Sequence, residues 1–122
     1  MTHAAGWSLI AIASLHTAAF AFDAPWGEWF DGELRGGGAD PESAAAFWAL
    51  PGGVVMPVLL FAVLLLRSAR AGRHVGAGMG LVMAAWAGFC VWLVGPSGFM
   101  TVFVPAGLLV LATVFDRLAR RG

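Results

Sequence analysis

His16 is the titratable side chain best placed for chemistry within an apolar part of this sequence. It lies in the stretch 1–22, which contains no Asp, Glu, Lys or Arg. A polar group in apolar surroundings needs a partner, so an ionisable residue there is by default a candidate site. His16 could bind a ligand, act as acid or base, or hydrogen-bond a free backbone carbonyl. No metal site is expected, because no second His or acid follows at a spacing of three or four residues.

Two acids of the following charged segment are the other catalytic candidates. Helical spacing places Asp23 and Glu33 on the same side as Trp26. Either carboxylate could form an acid–base pair with His16, and the alternative is a solvated acidic loop without catalytic function.

Prolines within the apolar segments mark the candidate ligand contacts. Because proline lacks an N–H, it frees the carbonyl four residues earlier: Pro51 frees Phe47, and Pro105 frees Thr101. Pro57 would free Gly53 in the same way. A freed carbonyl in lipid needs an internal partner, so we expect kinks that face protein. Together with the aromatic residues nearby, the candidate ligand-binding residues are His16, Trp26, Trp48, Pro51 and Pro105.

Uncharged apolar stretches set the fold class. About 18 or more such residues predict a membrane-spanning helix, and the turn residues Gly95-Pro96-Ser97-Gly98 divide the longest stretch. The sequence therefore predicts an all-α fold, a single domain (1–122) forming a four-helix transmembrane bundle. The predicted spans are about 4–22, 43–66, 75–94 and 99–115.

Charge distribution predicts the orientation. Six of the seven acids lie between 23 and 42, and six of the seven arginines lie at 67–73 and 117–121. Since cytoplasmic loops carry excess Lys and Arg, both termini are expected in the cytoplasm of a multi-pass protein of a bacterial cell membrane. A signal peptide ending near Ala21 is the less favoured alternative, because no Lys or Arg precedes the apolar stretch.

Local patterns add helix starts and a packing seam. Asp23 as N-cap and Pro25 in the first turn predict a short interfacial helix in the outer loop, ended by Gly36-Gly37-Gly38. Asp40-Pro41 predicts another helix start. Small residues at spacing four let helices approach closely, and they predict a seam within the bundle or between copies in a homo-oligomer: Gly76, Gly80, Ala84 and Gly88.

Several short motifs together resemble a family of small four-span bacterial membrane proteins classed as a domain of unknown function. The motifs are Gly6-Trp7, Leu15-His16-Thr17, Ala46-Phe47-Trp48 and Gly95-Pro96-Ser97-Gly98-Phe99. The resemblance implies a helical membrane protein and transfers no activity. The lone Cys90 excludes an internal disulfide, and neither a cofactor nor a nucleic-acid partner is expected.

The expected function is binding of an apolar or lipid-like small molecule within the bilayer, or service as a membrane accessory subunit. One alternative is a membrane-embedded enzyme that uses His16 as acid or base on a lipid-soluble substrate. A small transporter is the second alternative. The surroundings of His16 discriminate among them, because carboxylates converging on a cavity favour an enzyme.

Overall fold

A computed structural model describes residues 1–50, 52–73 and 75–120. These residues form seven α-helices and one short 3₁₀ helix, and they contain no strand. The helices are α1 (Thr2–Ala21), α2 (Trp26–Asp31), α3 (Glu33–Gly36), α4 (Pro41–Ala49), α5 (Val55–Arg70), α6 (Ala77–Val94) and α7 (Phe103–Ala119), with the 3₁₀ helix Gly98–Val102 directly before α7. The predicted all-helical class is confirmed.

Two helical segments are long and apolar enough to cross a membrane. They are Thr2–Ala21, with 20 residues, and the continuous segment Gly98–Ala119, with 22 residues. A helix of 20 residues is about 30 Å long, which matches the hydrocarbon thickness of a bilayer. The apolar segment Ala77–Leu93 is shorter. The described residues thus contain two segments that meet these criteria, where the sequence predicts four spans.

The predicted second span, 43–66, is not one helix. It divides into α4, which ends at Ala49, and α5, which begins at Val55 and continues to Arg70. Pro57 is the third residue of α5, where a helix does not use the N–H that proline lacks. The predicted kink at Pro57 is therefore wrong, because the new helix begins too close to the proline to be broken by it.

Pro105 also lies in the first turn of its helix, α7. The carbonyl of Thr101 is not freed, because the N–H of Phe103 is shared between the Met100 and Thr101 carbonyls in the 3₁₀ turn. The predicted kink at Pro105 is replaced by this tighter turn. Pro105 itself is buried in the packed bundle.

The predicted helix in the outer loop exists, but it is interrupted. Gly32 adopts a left-handed conformation (φ 93°) that ends α2, and α3 begins with the next residue. Asp23 does not cap α2, whose N-cap is Pro25 without a side-chain hydrogen bond. The predicted cap at Asp40 is confirmed: its Oδ1 accepts hydrogen bonds from the N–H groups of Glu42 and Ser43, both at 2.8 Å.

The packed core lies between α1, α5 and α7. Its buried members are Ala5, Leu9, Ala62, Leu65 and Leu109. Small residues permit the close approach of α1 and α5, since a Cβ added at Gly6 would lie 2.8 Å from the Leu66 side chain. Helix α6 covers α7 instead, and Gly80 is the contact point: a Cβ there would lie 2.6 Å from the Ala106 carbonyl oxygen.

Only part of the predicted small-residue seam makes such close contacts. A Cβ at Gly88 would meet Phe103 at an ordinary 3.8 Å, and a Cβ at Gly76 would meet nothing within 4 Å. Gly80 and Ala87 are the buried residues of α6 among those described. The helix thus turns its Gly80 face to α7 of the same chain, and assembly of two copies stays a prediction.

Candidate functional site

His16 hydrogen-bonds across the bundle to the end of α4. Its Nε2 lies 2.9 Å from the carbonyl oxygen of Ala49, 33 residues along the chain. The ring is half-buried and packs at 4.8 Å, centroid to centroid, on Phe20 one turn further along α1. The side chain therefore faces protein rather than open surroundings.

The α4–α5 junction explains why the carbonyl of Ala49 is available. In a regular helix each carbonyl accepts from the N–H four residues later. Here the Phe47 carbonyl accepts from Gly52 N at 2.9 Å, Trp48 from Val54 N at 3.2 Å and Leu50 from Val55 N at 3.3 Å. These hydrogen bonds connect residues five or six positions apart, and none of them uses the carbonyl of Ala49. The sequence pointed to Phe47 as the carbonyl freed by Pro51, and that was wrong because Leu50 and Gly52 both donate to it.

Two glycines make this junction sterically feasible. A Cβ added at Gly53 would overlap the carbonyl oxygen of Trp48, and one at Gly52 would overlap the ring of Phe47. The backbone of Trp48 cannot move away without losing its bond to Val54, so Gly53 is required by close approach. Pro51, a predicted ligand contact, lies outside the described residues.

A cavity of about 250 Å³ lies beside His16. We call it the His16 cavity. Its walls come from α1, the start of α5, α6 and the turn before α7, and they include Phe20, Val55, Val58, Trp86, Phe99 and Val102. Trp86 and Phe99 meet edge to face at 5.3 Å. Among the wall residues that the structure describes, His16 and Ser97 carry polar side chains, and Trp86 adds an indole N–H.

Ser97 is the second polar group of the site. Of the buried side-chain nitrogen and oxygen atoms in the described part of the chain, only its Oγ lacks a hydrogen-bond partner. A buried hydroxyl without a partner costs free energy, roughly 1–3 kcal/mol by mutational data. Because Ser97 belongs to the cavity wall, a ligand group that reached its Oγ would offset that cost.

The His16 cavity is adjoined by a second apolar cavity of about 180 Å³, which we call the deep cavity. Val58, Trp86 and Val102 line both cavities. The deep cavity reaches Leu9, Phe61 and Met83 in the middle of α1, α5 and α6. The two cavities thus share three wall residues, and His16 and Ser97 line only the His16 cavity.

An open groove of about 480 Å³ lies on the other side of Phe20, which lines both spaces. We call it the outer groove. Four carboxylates line it: Asp23, Glu28, Asp40 and Glu42. Asp23 is thus near the site, whereas Glu33 lines neither the groove nor the cavity. No contact joins either acid to His16, and the predicted acid–base pair is not formed.

The predicted aromatic contacts lie elsewhere. Trp48 is 62% exposed and Trp26 37% exposed, and neither lines the His16 cavity. Trp26 Nε1 donates to the Ala21 carbonyl at 2.7 Å, and Trp29 Nε1 donates to Ser43 Oγ at 2.9 Å. These indoles tie the outer loop to α1 and α4. The buried Pro105 lines no described cavity either.

Sequence reasoning missed Ser97, Trp86 and the carbonyl of Ala49. Serine is common in turns because its hydroxyl can bond to the nearby backbone, so Ser97 in the turn 95–98 does not by itself indicate a ligand site. The one indication in the sequence was that this turn was predicted at the same end of the bundle as His16. No sequence signal identifies a backbone carbonyl. Within the ranges described, no group of three His, Cys, Asp or Glu side chains is arranged to hold a metal ion.

Comparisons with protein-family models, with curated proteins and with solved structures find no match for this chain. The resemblance to a small four-span bacterial family therefore stays a prediction.

Proposed function

We propose that this chain is an integral membrane protein that binds an apolar or lipid-like small molecule in the His16 cavity. The observation that carries the proposal is the cavity itself. Ligand sites are typically concave, mostly apolar and supplied with few polar groups. The His16 cavity has this composition, with two polar side chains at one end and an apolar extension at the other.

The exposed surface supports the membrane environment. Large apolar side chains stand outward on every long helix, among them Leu15 at 72%, Leu60 at 60% and Trp92 at 78% exposure. Only 22% of the apolar window in Thr2–Ala21, and likewise in Gly98–Ala119, is buried within the protein. A core helix of a soluble protein would be covered by its own chain. A lipid bilayer would cover these faces instead.

The proposal requires four membrane crossings, so α4, α5 and α6 must supply two crossings in addition to α1 and the segment that ends with α7. On this proposal α6 is the third crossing, about 27 Å long for its 18 residues. Helices α4 and α5 together form the second, broken at the junction. Irregular backbone at membrane depth is tolerated where it is buried in protein or lines a cavity, and Val54 and Val55 at this junction line the His16 cavity. Broken helices of this kind commonly form ligand sites in membrane proteins.

The grouping of helix ends at the two ends of the bundle supports the predicted orientation. A groove at one end brings together Met1 and His3 at the start of the chain, Arg73 after α5 and Phe115 from α7. The arginines of the last turns of α5 and α7 share this end, while the acids of the outer groove share the other. By the excess of positive charge on the inner side, we place the arginine end and both termini in the cytoplasm of a bacterial cell.

An enzyme that uses His16 is the weaker candidate. A general base needs hydrogen-bond reach to its substrate and commonly an orienting partner. His16 has an orienting carbonyl, but no carboxylate lines its cavity, and Ser97 Oγ makes no hydrogen bond to it. These surroundings favour binding over proton transfer. Transport is weaker still, because no carboxylate lies in the cavity wall to couple ion movement.

Native mass spectrometry of the purified protein tests the proposal. We expect a co-purifying apolar molecule in the unmodified protein. Val58→Phe should remove it, because Val58 lines both cavities and a phenyl ring would take up space in them. Val63→Phe is the matched control: the same substitution in α5 at a side chain that is 47% exposed.

The control should retain the bound molecule. The proposal fails if neither the unmodified protein nor Val63→Phe carries or takes up any apolar molecule. It also fails if Val58→Phe binds as much as the unmodified protein while remaining folded, because the molecule would then lie outside the two cavities.

A further inference from the structure

The polar end of the His16 cavity restricts the chemistry of its ligand. A backbone carbonyl can only accept a hydrogen bond. Because Nε2 of His16 lies 2.9 Å from the Ala49 carbonyl oxygen, Nε2 must carry the proton. In the neutral ring Nδ1 is then an acceptor without a proton.

Ser97 supplies the complementary group. Its hydroxyl can donate one hydrogen bond and accept others, and its buried Oγ has no partner in the described protein. His16 and Ser97 line the same cavity of about 250 Å³. The polar end therefore offers an acceptor on the histidine and an unsatisfied donor on the serine.

Different ligand head groups fit this pair to different degrees. A hydroxyl can donate to His16 and accept from Ser97 at the same time. A ketone or quinone carbonyl only accepts, so it could satisfy Ser97 but not His16. A carboxylate would bring a negative charge against an apolar wall whose described residues include no Lys or Arg. The neighbouring outer groove, which shares Phe20 with the cavity, adds four further acids.

We propose that the His16 cavity takes a neutral long-chain alcohol, with its hydroxyl between His16 and Ser97. The chain passes Val58, Trp86 and Val102 and occupies the deep cavity. Simple alkanols, prenyl alcohols and glycerides with a free hydroxyl share this chemistry. The inference rests on the proposed binding function and adds the class of ligand.

Binding of tritiated dodecan-1-ol to the protein in nanodiscs, measured by scintillation proximity, tests this class. Empty nanodiscs and the Val58→Phe variant provide the background. Unlabelled dodecan-1-ol, dodecan-2-one, dodecane and dodecanoate, which differ in their head groups, then compete. We expect the alcohol to compete about tenfold more strongly than the ketone, and the ketone more strongly than the hydrocarbon or the carboxylate.

Variants separate the head-group contact from the apolar contact. Ser97→Ala should weaken dodecan-1-ol about five- to tenfold and leave dodecane unchanged, because it removes one hydrogen bond. It should not unfold the protein, since Ser97 Oγ bonds to no described atom. Ser14→Ala, at an exposed position of α1 outside the cavity wall, is the matched control and should change neither ligand.

The outcomes distinguish the two levels of proposal. Equal competition by alcohol and hydrocarbon, or stronger competition by the ketone or dodecanoate, overturns the inference while the binding function stands. An unchanged alcohol affinity in Ser97→Ala also overturns it. If dodecan-1-ol does not bind above the Val58→Phe background, the inference is overturned. If native mass spectrometry also finds no apolar molecule on the unmodified protein, the proposed function itself fails.

Discussion

The imidazole of His16 connects two helices that are distant in sequence. Its bond to Ala49 satisfies a carbonyl that the α4–α5 junction leaves without a helical partner. The same bond fixes which ring nitrogen carries the proton, and so determines what the residue can offer a ligand. One side chain thus combines a structural hydrogen bond with the proposed ligand contact.

Replacing His16 by Phe should destabilise the protein. The half-buried Ala49 carbonyl would lose its donor, and an unsatisfied carbonyl shielded from water costs up to about 1–3 kcal/mol. Thermal unfolding in detergent measures the effect. His3→Phe is the matched control, because His3 lies on the same helix at an exposed position and makes no hydrogen bond recorded in the structure. Equal unfolding temperatures for the two variants would contradict the structural role of His16.

At the residue scale, the sequence identified His16 as an inward polar group but not its partner. A histidine in an uncharged stretch is visible in the sequence. Its partner is not, because Ala49 becomes available only through the register of hydrogen bonds around residues 50–54. Trp26 and Trp48 were predicted to contact a ligand because they are aromatic residues near the outer loop. Aromatic character does not distinguish a cavity wall from an exposed surface.

The α4–α5 junction is the element on which the site depends. It provides the free carbonyl to His16 and places Val54 and Val55 in the cavity wall. Its geometry requires a glycine at position 53, where a side chain would overlap the Trp48 backbone.

Gly53→Ala should therefore destabilise the protein by about 2 kcal/mol or more, because the obstructing atom is backbone and cannot rotate away. Gly88→Ala is the control, since its Cβ would meet only Phe103 at 3.8 Å. This control should be neutral or stabilising, as alanine is favoured over glycine within a helix by about 1 kcal/mol. Chemical denaturation of both variants measures the difference, and a Gly53→Ala protein as stable as Gly88→Ala would mean that the junction is described wrongly.

The contact of α6 with α7 depends on Gly80. Gly80→Leu should separate the two helices, because a side chain there collides with the Ala106 carbonyl and its neighbours Leu109 and Val110. Gly78→Leu, two residues earlier with no atom within 4 Å of its Cβ, should be tolerated. Thermal unfolding should show a much larger decrease for Gly80→Leu, and equal decreases would remove Gly80 as the contact point.

At the element scale, helix positions were predictable where one uncharged stretch forms one helix. The ends of α1 and α6 lie within two residues of the predictions. The second predicted span failed because hydrophobicity does not report a change of backbone register. Helix α7, which corresponds to the fourth predicted span, runs to Ala119. It passes the predicted end at 115 because the charged residues Asp116 and Arg117 continue it. A basic residue in the last turn favours a helix end electrostatically.

The whole molecule separates its charges between two ends. Acids line the outer groove at one end, and the arginines that follow α5 and α7 lie at the other. Helix α1 is about 30 Å long, so the two ends are a membrane thickness apart. The charge segregation was evident in the sequence. The number of crossings was inferred from it, and two helical segments meet the criteria of length and apolarity.

Cysteine accessibility in intact cells tests the central claim, that four crossings enclose the His16 cavity within the bilayer. In a Cys90→Ala background, single cysteines at Gly38, Arg70, Pro96 and Arg120 report the successive connections and the C-terminal end. An impermeant thiol reagent should label Gly38→Cys and Pro96→Cys from outside the cell. Arg70→Cys and Arg120→Cys should react only after the membrane is opened. Labelling of Gly38→Cys and Arg70→Cys from the same side would show that α4 and α5 do not cross together, and the account would be contradicted.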